Sequence, residues 1–267
     1  MTLITRLFAL LLACSVAMPL LARADGPPLP LTIYTDEWPP LSYVDNDEAK
    51  GMAVELVNLL QQRLQTSWPV QLMPWARAYS YLLTRSNVML FVMGRNPERE
   101  RLMTLVGPVA TSTIMLYTRK GEAQRLRSRG AGLSELPLSG FRSSIFVAVA
   151  RKHGFVNILE SADSAQSVRQ LMSHRVDLWS EGDSVVDSVL QKMGLPAGSV
   201  EPVMPLEQVD LYLAFSRGTP RSVVIAWEKA LRAAKQDGSY AALYRRWLPS
   251  APMPMTVERA GLEPVSD

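Results

Sequence analysis

The chain has 267 residues, of which 48% are hydrophobic and 20% charged, a balance that excludes both a disordered chain and a multi-span membrane protein. Its formal charge of +3 includes Arg6 and Arg23 of an N-terminal segment expected to be removed, which takes 28 basic residues to 26 against 25 acidic ones. The mature chain is then nearly neutral, so charge gives no argument for binding nucleic acid or a membrane surface.

Met1 to Arg6 is short and basic, Leu7 to Leu21 is apolar, and Ala22-Arg23-Ala24 is a small-x-small site before Asp25. These are the three parts of an export signal, residues 1–24, cut after Ala24, and they imply a periplasmic protein. The apolar stretch is shorter than the roughly 20 residues a membrane span needs, and Pro19 interrupts it. Lipidation at Cys14 is the weaker alternative, because the residues after it stay apolar where a polar tether is expected. Cys14 is the only cysteine, so the mature chain has no disulfide and its stability must come from a packed core.

Leu31 to Thr35 alternates as a strand and runs into the turn-rich Asp36-Glu37-Trp38-Pro39-Pro40. From Gly51 to Leu64, apolar residues fall at helical spacing. Val70 to Met73 is a second strand, Ala76 to Thr84 a helix, and Val88 to Met93 a fully apolar strand. Gly107-Pro108 reads as a turn before a strand over Ile114 to Thr118. Gly121 to Gly132 is a polar, arginine-rich break. Helices follow at Ser144 to His153 and Ser164 to Ser173, then strands at Val176 to Trp179 and Val209 to Phe215. A helix opens at Thr219-Pro220 and a short one covers Tyr240 to Leu248. The tail from Pro249 reads as a surface strap or a disordered end. Strands alternating with helices imply an α/β architecture with a largely parallel sheet.

Between the apolar strand and the next element lies "GRNPERER", residues 94 to 101. Asn96 suits an N-cap, Pro97 the first helical position and Glu98 the first turn. Arg99 does not, since the helix dipole disfavours a cation there, and Arg95 repeats the charge one turn earlier.

Catalytic chemistry is sparse. His153 and His174 are the only histidines and lie in separate expected helices without a neighbouring cysteine, so no metal is expected. Nucleophile-elbow, phosphate-loop and dinucleotide fingerprints are absent, and no cofactor is implied. What stands out is a set of rings and guanidinium groups in loops that follow strands: Trp38, then Trp75 with Arg77, then Arg95 and Arg99. In open α/β sheets, ligands bind where such loops converge. Each also has a structural role open to it: Trp38 packing on a surface, Trp75 plugging a core end, and the arginines pairing with Glu98 and Glu100.

Taken together, "YTDEWPPLSYVDN", "GMAVELVNLL", "NPERERLMTLVGPV", "LYLAFSRGTP" and "DGSYAALYRRW" resemble family 3 of the bacterial extracellular solute-binding proteins, from about Leu31 to Trp247. The resemblance implies a two-lobe periplasmic binding protein fold, its lobes joined by two crossover strands and closing over a cleft. The expected division is 25–112 with 207–250 for lobe 1, 113–206 for lobe 2, and 251–267 for the tail. By the same resemblance, Trp38 and Trp75 match rings that sandwich the ligand, Arg99 the arginine that grips its carboxylate, and Arg142-Ser143-Ser144 a basic residue and small residues at a helix N-terminus. Two positions depart from the pattern: Gly94 replaces a hydroxyl residue beside the carboxylate, and Gly182 stands near the usual amine-binding aspartate. Glu181 or Asp183 is the candidate substitute, and Arg77, Arg95 and Arg142 together suit a ligand with more negative charge and no amine.

The expected function is capture of a small, polar, carboxylate-bearing ligand for an inner-membrane ABC permease, by a monomer. The rivals are an exported enzyme on the same scaffold, a dehydratase of a cyclic carboxylate using Glu181, Asp183 or Glu37, and a receptor for a signalling partner.

Overall fold

The computed structural model describes residues 30–265, so the expected export signal and Cys14 lie outside the described residues. Along the chain run β1 (Thr32–Thr35), β2 (Tyr43–Asp45), β3 (Glu48–Lys50), α1 (Met52–Arg63), β4 (Val70–Leu72), α2 (Trp75–Thr84), β5 (Val88–Gly94), α3 (Pro97–Glu100) and β6 (Thr104–Arg119). There follow α4 (Ala123–Arg127), β7 (Leu138–Phe141), α5 (Ile145–Lys152), β8 (Ile158–Ser161), α6 (Ser164–Met172), β9 (Leu178–Gly182) and α7 (Val186–Lys192). The chain closes with β10 (Val200–Phe215), α8 (Arg221–Gln236), α9 (Ser239–Trp247) and β11 (Glu258–Gly261).

Two lobes share one mixed sheet of order β4-β1-β5-β10-β6-β9-β7-β8, with β11 added on β6. In the first lobe, β1 lies parallel between β4 and β5; in the second, β7 lies parallel between β8 and β9. The long antiparallel pair β6 and β10 belongs to both. Leu211 to Phe215 of β10 pairs with β5, whereas Ile114 to Tyr117 of β6 pairs with β9. Two covalent crossovers therefore carry the lobes. The cores follow from the apolar strands: β5 is buried throughout, and Leu56, Val57 and Leu60 of α1 are buried in the same cluster. A smaller cluster of Leu116, Leu126, Leu138, Phe155 and Leu178 fills part of the second lobe. Among the described residues no helix is long and apolar enough to cross a membrane.

Several expectations change. Gly107-Pro108 is no turn, since β6 runs through it; a Cβ on Gly107 would lie 2.7 Å from the Tyr212 ring, so the glycine permits a close strand approach. The β10 strand begins nine residues before Val209, because Pro202 and Pro205 fall at register shifts that tolerate a missing donor. The arginine-rich break holds α4 and a 3-10 turn over Gly130–Glu135, pinned by buried Leu126 and Leu133. β9 starts two residues later than expected and continues through Ser180-Glu181-Gly182, all buried.

The tail from Pro249 is an ordered strap. β11 pairs antiparallel with Thr104 to Gly107, and the Tyr212 hydroxyl donates to Glu258 at 2.6 Å. Lys235, only 4% exposed, donates to the carbonyls of Pro108, Pro254 and Thr256 at 2.6 to 2.8 Å. Burial pulls its pKa down to about 8. Truncation after Ser250 leaves that cation without two of its acceptors, at about 1.5–3 kcal/mol for each charged hydrogen bond. The truncated chain is expected to melt at least roughly 5 °C lower by calorimetry; an unchanged melting temperature would show the strap to be peripheral.

Candidate functional site

The loops after β1, β4 and β5 face those after β7, β8 and β9 across an interlobe cleft. Local sequence sets each one. Gly51, at φ +119°, lets α1 begin against the Trp38 loop, with Met52 and Ala53 donating to the carbonyls of Pro40 and Leu41 at 2.9 Å. A Cβ on Gly51 would lie 2.5 Å from the Leu41 carbonyl oxygen. Trp75 opens α2 directly after Pro74. Asn96 caps α3, accepting from the Arg99 N–H at 2.8 Å, and Ser144 caps α5.

Arg99 is 3% exposed, and its head turns into the cleft. Nη1 donates to the Gly94 carbonyl at 2.7 Å and Nη2 to the Ser143 carbonyl of the opposite lobe at 2.9 Å. Trp75 Nε1 donates to the same Ser143 oxygen at 2.8 Å. The guanidinium carbon stands 5.5 Å from the ring centres of both Trp75 and Tyr79, within cation–π reach. Burial lowers its pKa, and among the described residues no carboxylate is within ion-pair distance. Ser143 is held at φ +59°, uncommon for a residue with a side chain.

Side chains of α5 fill the space beside this contact. A Cβ on Gly94 would lie 2.8 Å from Ile145 Cγ1, and Phe146 meets Trp38 edge-on at 5.4 Å between ring centres. The notch bounded by Trp38, Trp75, Arg99, Ile145 and Phe146 holds about 10 Å³, the scale of one water. Adjoining it, and sharing Asp36, Trp75 and Phe141 as walls, is a cavity of about 490 Å³. Leu72, Met73 and Glu37 line it from the first lobe; Asp163, Ser164, Val189 and Lys192 line it from the second. Lys192 Nζ bridges the lobes to Glu37 at 2.6 Å.

Two buried carboxyls stand at the same place. Asp36 is 8% exposed, its Oδ1 has no hydrogen-bond partner among the described residues, and burial pushes it up to about 7. Glu181 is fully buried and accepts from Ser164 Oγ at 2.5 Å and from the Gly182 N–H at 3.0 Å. Burial pushes it up to about 8, and the charge of Asp36 adds to the rise.

Trp38, Trp75, Gly94, Arg99, Ser143, Ser144 and Glu181 are thus brought to the cleft. Arg95 is not: it faces the strap, bonded to Glu100, Glu258 and Tyr212. Arg77 and Arg142 are exposed and line neither space. Asp183 is exposed, and its carboxylate accepts from the Thr113 N–H at 3.2 Å. Sequence reasoning missed Asp36, Ser164 and the apolar plug of Ile145 and Phe146. Asp36 carried a signal, an acid placed directly after a buried strand, whereas the plug depends on how the lobes meet.

A family model for "Bacterial extracellular solute-binding proteins, family 3" matches residues 31–250. No curated protein sequence matches the chain. Solved structures of similar fold include a histidine kinase sensor domain with similarity to periplasmic binding proteins, at 17% identity and a TM-score of 0.70, covering 84% of this chain and 98% of that one. The arginine-, lysine-, histidine-binding protein ArtJ of Geobacillus stearothermophilus aligns at 13% identity and a TM-score of 0.70, covering 84% and 97%. The ancestral amino acid-binding protein AncCDT-1, a precursor of cyclohexadienyl dehydratase, aligns at 19% identity and 0.67, covering 81% and 94%.

Two outcomes test this geometry. Gly94→Val drives a side chain into Ile145, so small-angle scattering should show a larger radius of gyration at unchanged secondary structure; an unchanged radius would mean that Gly94 does not set lobe approach. The carboxyls bear on pH. Asp36 and Glu181 hold protons in the folded state that the unfolded chain releases near pH 4. Their contribution is full below that pH and lost as pH rises through about 7 and about 8. The melting temperature should fall between pH 5 and 8.5, and less steeply in the Asp36→Asn, Glu181→Gln double variant; equal slopes would place both groups in solvent.

Proposed function

We propose that this chain, which belongs to the bacterial extracellular solute-binding proteins of family 3, is a periplasmic receptor that closes its two lobes over a small molecule. The observation that carries this is the cavity of about 490 Å³ with walls from both lobes. That volume lies within the range of small-ligand sites, and its lining is mainly apolar with a few polar groups. A ligand there contacts the first lobe through Trp75 and the second through Phe141, so it binds the closed form better than the open one and shifts the population toward it. The lobe division of 25–112 with 207–250 against 113–206 puts the hinge in β6 and β10, which suits closure about two crossovers.

The ligand class turns on Arg99. The resemblance assigns its guanidinium to a ligand carboxylate, yet in the closed form the Gly94 and Ser143 carbonyls take two of its donors and the apolar plug closes the space beside it. A carboxylate beside it would need the notch, which holds only about 10 Å³, to open, whereas a ligand in the larger cavity requires no such change. The closed monomer would then be read by a membrane partner, an importer permease or a signalling protein; the likeness to a sensor domain supports the second as well as the first.

An enzymatic reading is favoured by one observation: Glu181 and Asp36 are carboxyls raised toward neutrality beside the cavity, the condition of a general acid. The test is a thermal-shift screen of the mature chain against amino acids, organic acids, amines and neutral solutes. A ligand at a hundred times its dissociation constant stabilises by about 2.7 kcal/mol. At least one class should raise the melting temperature and be recovered unchanged after overnight incubation. Conversion would establish the enzyme, and no shift from any class would defeat the receptor.

A further inference from the structure

The larger cavity carries more acid than base. Asp36, Glu37 and Asp163 line it against Lys192 alone, and Lys192 is already paired with Glu37. Behind the wall stands a fourth carboxyl, Glu181, to which the cavity-lining Ser164 donates its hydroxyl proton. Ser164 Oγ keeps a lone pair to offer whatever lies in the cavity. Asp36 is the unmatched group: the residue is over nine-tenths buried at the wall shared by notch and cavity, and its Oδ1, sealed from solvent in this closed form, has no partner among the described residues. A buried carboxylate oxygen in that state calls for a donor from outside the chain. No arginine lines the cavity, so nothing there offers a free positive charge to an anion.

We propose that the interlobe cavity binds an organic cation, a primary or secondary ammonium on an apolar aliphatic or aromatic body with no carboxylate, whose N–H groups donate to Asp36 and Ser164. This rests on the receptor reading above and names its substrate class. Trp75 and Phe141, with Leu72, Met73 and Val189, supply the apolar walls for the body. The Trp75 face adds a cation–π attraction where the ammonium enters. Arg99 stays on the Ser143 carbonyl throughout, as part of the closure contact and not of the ligand contact.

The proton balance follows. The ammonium binds the ionised form of Asp36, a carboxyl that burial lifts to about 7. Binding therefore releases a proton below that pH, and affinity falls as pH drops. The surrounding groups are Glu37 beside Asp36 in the chain, Lys192 of α7 paired with it, Glu181 of β9, Asp163 before α6 and Arg99 of α3 across the notch; Tyr117 of β6 stands beyond Glu181. Tyr117 itself feels Asp183, Glu181 and Asp187, and its own pKa is raised mainly by burial.

The experiment is isothermal titration of the full mature chain with butylamine and phenethylamine, each against its matching carboxylic acid and alcohol and against the common amino acids. The amines should bind and their acid and alcohol counterparts should not. Affinity for the amine should drop roughly tenfold between pH 7.5 and pH 6. Asp36→Asn should weaken the amine at least roughly tenfold and flatten that pH dependence, at a melting temperature equal to or above that of the parent. Binding only by carboxylates, amino acids or neutral solutes would overturn the cation assignment and leave the receptor standing. Binding by nothing would overturn both. Amine affinity that is independent of pH and of Asp36 would also overturn the assignment, because another group would then be holding the ammonium. The pH profile of the parent protein decides the matter by itself if the Asp36 variant fails to fold.

Discussion

A guanidinium buried without a carboxylate is the constraint on which the rest of the cleft depends. Arg99 is nearly sealed from solvent and has no ion-pair partner among the described residues; two carbonyl dipoles and two flanking rings, with Tyr79 and the more distant Glu98, offset its charge. Such a charge is costly to bury unless its donors are satisfied. The Ser143 carbonyl meets that need from the opposite lobe, and Trp75 donates to the same oxygen. Lobe closure and satisfaction of Arg99 are therefore one event. The positive φ of Ser143, the bare Gly94 and the plug of Ile145 and Phe146 all serve the approach that brings this carbonyl in.

Closure of that kind divides the cleft. On one side the notch is packed to the size of a water; on the other a cavity large enough for a small molecule remains. Charge divides unevenly with it: Arg99 stands at the notch, Asp36 at the wall both spaces share, and Glu37 and Asp163 along the cavity, with Lys192 paired to Glu37. The scaffold supports this with rigid parts: β6 and β10 pass between lobes, and the strap fastens the first-lobe half of β6 through β11 and Lys235.

Much of the fold was legible in the residues because local physics decided it. The apolar run of β5, the helical spacing of α1 and α8, and the Asn96-Pro97 start of α3 each read directly, since period and capping are properties of neighbouring residues. Strands with prolines or glycines at bulges and close approaches were not legible: β10 looked too short and β6 looked broken at Gly107-Pro108. β11 was missed because its strand character comes from pairing with residues 151 to 157 positions away in the chain. In the site, the sequence and the family resemblance picked out Trp38, Trp75 and Arg99. The partner of Arg99 was hidden, since a backbone carbonyl leaves no mark in a sequence. Asp36 left only a weak mark, its place directly after a buried strand, because an acid in a turn-rich loop looks solvated until its surroundings are known.

The most direct test is an experimental structure of the mature chain with its tightest ligand bound. The ligand should lie between Trp75 and Phe141 with a nitrogen on Asp36, while Arg99 and Trp75 still donate to the Ser143 carbonyl. A ligand carboxylate seated on Arg99, with Ser143 displaced and Ile145 withdrawn from Gly94, would contradict the division of the cleft on which this account stands.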